Sequence, residues 1–495
     1  MSLVMGIDLG TSSTKTIILD QGGTPVATAS ASYPMSTPRP GWVEQAPDDW
    51  WHAVCVTIQE SIASLPVPLS ASDIQGVALS GQMNGAVPTN QHGEPLRSAI
   101  LWLDGRSQTE CDQANERAER QLRERALTIL NPVNTLAKIL WLQGNEPDVY
   151  RASRWVLIPK DWVRFRLTGE MFSDVSDASV SGALDLYNRA WSGEILESVG
   201  VRDDLFPEVV ESTAPAGSVS QSAADATGLV AGTPVCAGGG DMACMAVGSG
   251  AIKPGIVGIG IGTAGHAITF AQDLHDGAFN QLWPMCHSVP DAYFWLGCSY
   301  TGGGSLSWFS EQFGDDYESL TTMASEAPVG SDGLFFMPWL AGTGTPHPDA
   351  RARGGWLGLT LQHGKRHMVR SLMEGVAFDL RQALDCIHGI GLPVTEIRLG
   401  EGGVRSKLWR QILVDVFGQE GRLMELGDAS AIGAALIAGV GVGIFKDFEE
   451  ACSRTVQLTD HVCHRPDSVT LYDAYYQHYC ALYPTLKPWF HQGKA

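Results

Sequence analysis

The stretch Gly6-Ile7-Asp8-Leu9-Gly10-Thr11-Ser12-Ser13-Thr14-Lys15 is echoed 252 residues further on by Gly258-Ile259-Gly260-Ile261-Gly262-Thr263, with Gly, Ile, Gly and Thr repeated at four of six positions. In each copy an apolar run enters a Gly-Thr turn. Residues 4–9 and 16–19 flank the first turn, which is the pattern of a β-hairpin. Two readings of the echo stand: coincidence in a glycine-rich chain, or a duplicated domain whose halves each offer a Gly-Thr hairpin to one ligand between them. Asp8 has Gly260 as its counterpart, so on the second reading only the first copy brings a carboxylate to its turn.

Outward from the repeat, a chain of 495 residues predicts two or three cores. The best break falls at residues 249–255, just before the second hairpin, and gives domains of residues 1–252 and 253–495. Strands are predicted over 76–81, 233–240, 256–262 and 396–403, and helices over 48–64, 108–130, 368–388, 407–417 and 431–439. Within 368–388, Leu372, Val376, Leu380, Leu384 and Ile387 recur at helical spacing until Gly389 stops them. Strands alternating with helices define an α/β protein.

Composition narrows the function. The chain is 44% hydrophobic and 18% charged, so it buries enough apolar surface to fold. Its 56 glycines, about 11% against the usual ~7%, point to tight turns and close ligand approaches. With 33 Lys and Arg against 54 Asp and Glu, the formal net charge of −21 excludes a nucleic-acid partner. The ten cysteines form no Cys-x-x-Cys pair, as expected of free thiols in a reducing cytoplasm. Residues 1–10 carry no signal-peptide pattern, and the uncharged run 429–445, broken by four glycines, reads as a buried helix rather than a membrane span.

Several loops carry residues suited to chemistry. In the first hairpin, backbone N–H groups and the hydroxyls of Thr11, Ser12 and Ser13 suit phosphate oxygens, and a strand-end Asp8 suits Mg²⁺; an ordinary solvated hairpin is the alternative. Asp241, after Gly238-Gly239-Gly240, is either a helix cap or a general base with room for substrate. Gln82-Met83-Asn84-Gly85 and Trp102-Leu103-Asp104-Gly105-Arg106 mix amide, carboxylate, guanidinium and indole groups, as a polyol site does. Gly402 and Gly403, followed by Ser406, make a turn that can pass close to an adenosine. Gly260-x-Gly262-x-x-Gly265 matches the dinucleotide expression, but it lacks a following helix and a correctly spaced acid. His461-Val462-Cys463-His464 fits no standard zinc spacing.

Taken in order, these pieces resemble the FGGY carbohydrate kinases, most closely their xylulokinase branch. The resemblance spans essentially the whole chain and includes Gly41-Trp42-Val43-Glu44-Gln45, Pro159-Lys160-Asp161, Ser173-Asp174 to Asp177-Ala178, and 356–374. It implies the actin/hexokinase fold: two ribonuclease-H-like domains around a central cleft. It also implies transfer of the ATP γ-phosphoryl group to a sugar hydroxyl, D-xylulose being the foremost acceptor. Carried over, Asp241 matches the catalytic base and Asp8 the acid serving Mg²⁺ and phosphate. Thr11 and Lys15, with Ser12 and Ser13, match the first phosphate loop, and Gly262 with Thr263 the second. Gly402 and Gly403, with Ser406, match the adenosine turn. Met83 and Asn84 match the substrate pair, with Trp102, Asp104, Arg106 and Met242 nearby. The family's members pair as homodimers often enough to make that the assembly to test.

Three positions depart from the xylulokinase pattern: Asn84 where His is usual, Leu103 where Asn is usual, and Met242 where Asn is usual after the catalytic Asp. Asn84 still hydrogen-bonds a hydroxyl, whereas Met242 offers little in its place. These departures leave D-ribulose, another ketose or a pentitol as alternative acceptors. A non-sugar ATPase clamp of the actin and heat-shock type shares the hairpins but needs no sugar.

Overall fold

The computed structural model describes residues 2–275, 277, 279–425 and 428–492. The chain divides into two compact units. Unit 1 takes Met1–Ile252, Met285–Phe294 and Asp428–Val456; unit 2 takes Lys253–Pro284, Trp295–Gly427 and Gln457–Ala495.

Unit 1 is built on β1 (Leu3–Leu9), β2 (Ser13–Asp20), β3 (Pro25–Ser32), β4 (Ile74–Gly81), β5 (Pro215–Ser218), β6 (Pro234–Cys236) and β7 (Gly239–Gly240). The sheet order is β5-β6-β4-β1-β2-β3, with β7 also paired to β4. Strand β1 runs antiparallel to β2 and parallel to β4. Its sequence is apolar on both faces, as a central strand covered by helices requires. Leu3, Met5, Ile7 and Leu9 join Trp50, Val54 and Ile58 of the helix Pro47–Ala63 in one core. On the opposite face Gly6 admits the helix Ala429–Gly441, because a Cβ at Gly6 would stand 2.6 Å from Ala435 N. That helix is the buried one predicted from 429–445, and among the described residues no helix is long and apolar enough to cross a membrane.

The second sheet comprises β8 (Gly255–Ile261), β9 (Gly265–Ala271), β10 (Trp283–Cys286), β11 (Tyr293–Ser299), β12 (Val394–Gly400), β13 (Gly421–Met424) and β14 (Leu458–Val462), in the order β10-β11-β9-β8-β12-β13-β14. Strand β8 runs antiparallel to β9 and parallel to β12. The hairpin with a parallel neighbour formed by β1, β2 and β4 therefore recurs, which favours duplication over coincidence. The helix Lys365–Gly389 buries Leu372, Val376, Leu380, Leu384 and Ile387 in the unit 2 core, as their spacing predicts. Gly260 to Gly265 lie across the β8–β9 hairpin, so the dinucleotide expression is not a strand-to-helix turn.

Two predicted elements differ. The helix expected over 108–130 ends as Gln108–Gln121 and then a wide turn, Leu122–Ala126. Asn115 explains this, since its side chain pairs with both backbone groups of Leu130 at 2.8 and 2.9 Å and folds the chain back. The strand expected over 233–240 splits into β6 and β7 because Gly238 turns with φ of 79°.

Candidate active site

The parallel strands β1, β4 and β7 place the first candidates side by side in unit 1. Asp8 lies opposite Ser80, Gly239 opposite Ser80, and Gly240 opposite Gly81, so Asp241 follows directly from a strand end that β4 separates from that of β1. The Ser80 hydroxyl donates to Asp8 Oδ1 at 2.6 Å. Burial pushes the Asp8 carboxyl above its ordinary value, against the pull of Ser80 and Lys15. Asp241 is the first residue of the helix Asp241–Gly248, and Gly240 holds the cap position. The helix-cap reading of Asp241 is therefore not realised.

The first turn is held from outside. Gly10 N donates to Ser13 O at 3.0 Å, and the Tyr33 hydroxyl donates to Gly10 O. Gln45 Nε2 donates to Thr11 O at 2.8 Å, while Trp102 Nε1 donates to Thr11 Oγ1 at 3.0 Å. Ser12 is exposed, and Thr11, Ser13 and Lys15 are partly so. The Lys15 ammonium is ion-paired with Asp428.

The sugar-loop candidates lie against the same strand ends. A Cβ on Gly240 would meet Met83, with its Cγ at 2.8 Å, so this glycine is the floor on which the thioether rests. Asn84 adopts φ of 65°, which asparagine tolerates better than most residues, and its buried Oδ1 accepts no hydrogen bond. Gln82 Oε1 is likewise buried without a donor. Asp241 and Met242 are both half-buried. Asp104 and Arg106 chiefly hold one another: Arg106 Nε and Nη2 donate to Asp104 at 2.8 and 2.7 Å, and Val43 N donates to Asp104 Oδ2 at 2.6 Å. The Arg106 guanidinium also lies 3.6 Å over the Trp42 ring and 2.7 Å from Glu44 Oε1.

Behind the glycine floor sits a charged cluster that sequence reasoning did not single out as functional. Lys160, Asp161, Arg164, Asp174 and Asp177 are all 0–1% exposed. Lys160 Nζ lies 2.6 Å from Asp161, 2.7 Å from Asp174 and 3.6 Å from Asp177. Burial alone would lower the Lys160 ammonium, but these three carboxylates hold it above the usual lysine value. Burial, with Asp174, Asp161 and Asp241 adding to it against Lys160, pushes Asp177 well above the carboxylate range. Its two buried oxygens accept no hydrogen bond. From this cluster a chain of contacts reaches the end of β7: Asp174 pairs with Lys160, accepts from Ser176 Oγ at 2.5 Å, and Ser176 Oγ accepts from Gly240 N at 3.1 Å. Pro159-Lys160-Asp161 and Asp174 to Asp177 were visible as motifs, but nothing in their spacing shows that they meet.

In unit 2 the second turn, Gly262-Thr263, is braced by the helix Gly302–Phe313, whose Gly303 N and Gly304 N donate to Gly262 O and Thr263 O at 2.8 and 2.9 Å. Gly403 packs on the end of β8, where a Cβ would stand 2.6 Å from Ile261 Cγ2. Ser406 Oγ caps the helix Lys407–Phe417 by accepting from Trp409 N at 3.2 Å. The Gly302-Gly303-Gly304 run was a signal that sequence reading passed over. His461 and Cys463 gather with Glu420 on an exposed edge, where His461 Nε2 sits 2.8 Å from Glu420 Oε2.

Residues 3–248 match the N-terminal domain, and residues 277–442 the C-terminal domain, of the FGGY family of carbohydrate kinases. The xylulose kinase of Bacillus subtilis (strain 168) is 32% identical over 490 residues, covering 98% of each chain. A crystal structure of a protein described as a xyloylose kinase from Brucella ovis superposes with a TM-score of 0.92 at 32% identity, covering 98% of this chain and 99% of the other. That of xylulose kinase from Rhodospirillum rubrum gives 0.90 at 29% identity, covering 99% and 100%. The chain belongs to the FGGY family of carbohydrate kinases, with their two-domain α/β fold of the actin/hexokinase type. It is accordingly a phosphotransferase.

Proposed function

We propose that the protein transfers the γ-phosphoryl group of ATP to the terminal hydroxyl of a ketopentose, D-xylulose, to give the 5-phosphate. The observation that carries a polyol acceptor is the set of buried, donor-less oxygens beside the Asp241 strand end: Gln82 Oε1, Asn84 Oδ1 and those of Asp177. Such acceptors are costly unless hydroxyl donors arrive. The names of the similar proteins supply the choice of xylulose.

In this reading Asp241 takes the proton of the attacking hydroxyl, and its neighbours Met83 and Met242 line the carbon face of the sugar. Trp102 holds Thr11 and so ties the sugar loop to the first phosphate turn. Asp104 and Arg106 fix the loop that carries Trp102. Thr11, Ser12 and Ser13 present hydroxyl and N–H donors to phosphate, joined by Lys15 once it leaves Asp428. Gly262 and Thr263 form the second phosphate loop, and Gly402 and Gly403 with Ser406 the adenosine turn. Asp8 fits Mg²⁺: it is a hard, partly desolvated carboxylate with one oxygen held by Ser80 and a pKa that burial raises against Ser80 and Lys15. When bound, Mg²⁺ would neutralise phosphate charge as the γ-phosphoryl leaves. Ten cysteines outside any disulfide fit a reducing cytoplasm. A homodimer is the proposed assembly.

The test is ADP release from Mg-ATP across D-xylulose, D-ribulose, L-xylulose, L-ribulose, glycerol and pentitols, with Asp241→Asn alongside. We expect preference for D-xylulose and a loss of at least about 10²-fold in the variant. Preference for D-ribulose would favour the second reading, in which Asn84 and Met242 reshape the pocket. Release without any sugar would sink both.

A further inference from the structure

Glu401 interrupts the glycine-rich turn Gly400-Glu401-Gly402-Gly403 with φ of 68°, a left-handed conformation that glutamate rarely adopts. Its Oε2 is buried and accepts no hydrogen bond. The near side chain is His266, whose Nε2 lies 3.9 Å from that oxygen, beyond hydrogen-bond reach. Both glycines of the β8 end make room for this carboxylate. A Cβ on Gly260 would stand 2.7 Å from Glu401 Oε2 and collide with the His266 ring, and one on Gly262 would stand 2.9 Å from the same oxygen.

The position has a counterpart in unit 1. There Asp8 faces Lys15 across the hairpin and Ser80 on the parallel neighbour. In unit 2 Gly260 faces His266 across its hairpin and Gly400 on the parallel neighbour. The acid missing at Gly260 is thus restored by the residue after Gly400, whose carboxylate fills the space over Gly260 and Gly262. A strained backbone and an uncompensated buried oxygen both destabilise the turn, so the arrangement calls for a ligand. That ligand is a cation: a carboxylate beside the phosphates of a nucleotide repels them unless positive charge lies between.

We infer that Glu401, flanked by His266, holds the divalent cation that accompanies the nucleotide phosphates at the second loop, directly or through a bound water. This rests on the proposed phosphate role of Gly262 and Thr263. Hard carboxylate oxygen is the donor type such an ion takes, and one or two protein carboxylates are its usual share.

The experiment is calorimetric titration with ADP in excess Mg²⁺ and, separately, in EDTA, for the wild type, Glu401→Gln and Glu401→Gly. The glycine variant relieves the left-handed backbone, so it stays folded and keeps the comparison readable. The wild type is expected to bind ADP more tightly with Mg²⁺. Both variants should narrow that advantage by about 10- to 100-fold, through weaker binding with Mg²⁺ and tighter binding in EDTA. An unchanged ratio between the two conditions in both variants would overturn the inference while leaving the phosphate loop intact. Failure of the wild type to bind ADP in either condition would overturn the loop reading, and the inference with it.

Discussion

Lys160 shows how far a single residue's role lies from its appearance in sequence. Its ammonium is wholly buried among Asp161, Asp174 and Asp177 and connects through Asp174 and Ser176 to Gly240. Removing a partner from a buried ion cluster costs about 3–5 kcal/mol, because the remaining charges keep their desolvation penalty. Lys160→Met is therefore expected to lower urea-unfolding stability by about that amount, and adding Asp174→Asn to recover part of it. Additive losses would show that the two charges do not compensate one another. At this scale the legible residues are those that end a strand in a glycine-rich turn, such as Asp8 and Asp241, since their accessibility follows from local pattern. Lys160 and Asp177 were not legible because their meaning depends on contacts between distant segments. Glu401 hid among glycines. Asp104 and Arg106 were read as sugar contacts from their chemistry, yet the structure shows most of their hydrogen bonds spent on the loop itself.

Among elements, the segment Met285–Phe294 is pinned into unit 1 by His287. The ring is neutral by geometry: its Nδ1 accepts from Val289 N at 2.9 Å, and its Nε2 faces Ala251 O at 3.1 Å. Burial, aided by Arg189, pushes its pKa down to about 4 from 6.5. The unfolded chain then binds more protons between those values, so this group's contribution is full above pH 6.5 and falls away as pH drops to about 4, by about 3 kcal/mol. Asp379 works the other way, since burial raises its pKa to about 6. The check is a difference: His287→Gln should flatten the loss of urea stability between pH 7 and 4.5 relative to the wild type. Equal slopes would refute it. The elements best read from sequence were those with strong apolar periodicity, above all Lys365–Gly389. Strand β3, with its Ala, Ser and Thr residues, had no apolar run to announce it, and Asn115 ended a helix through a contact with Leu130 that spacing does not reveal.

Over the whole molecule, the repeated hairpin was the legible feature, and the path of the chain between the units was not. Unit 1 reclaims Met285–Phe294 and Asp428–Val456 after the chain has entered unit 2. The helix Ala429–Gly441 covers β1 at Gly6 and meets Cys244 at Gly433. A fragment of residues 1–252 would expose that apolar face. It is expected to lack a cooperative urea transition and a native near-ultraviolet spectrum, and a sharp native-like transition would count against the helix as an integral part of unit 1. The burial of Lys160 has one more consequence, in covalent chemistry. An amine with no accessible surface, its charge held by carboxylates, cannot meet an acylating reagent, whereas the partly open Lys15 can. Acetylation, chemical or enzymatic, thus reaches the first hairpin of the native protein and leaves the lysine behind the glycine floor untouched.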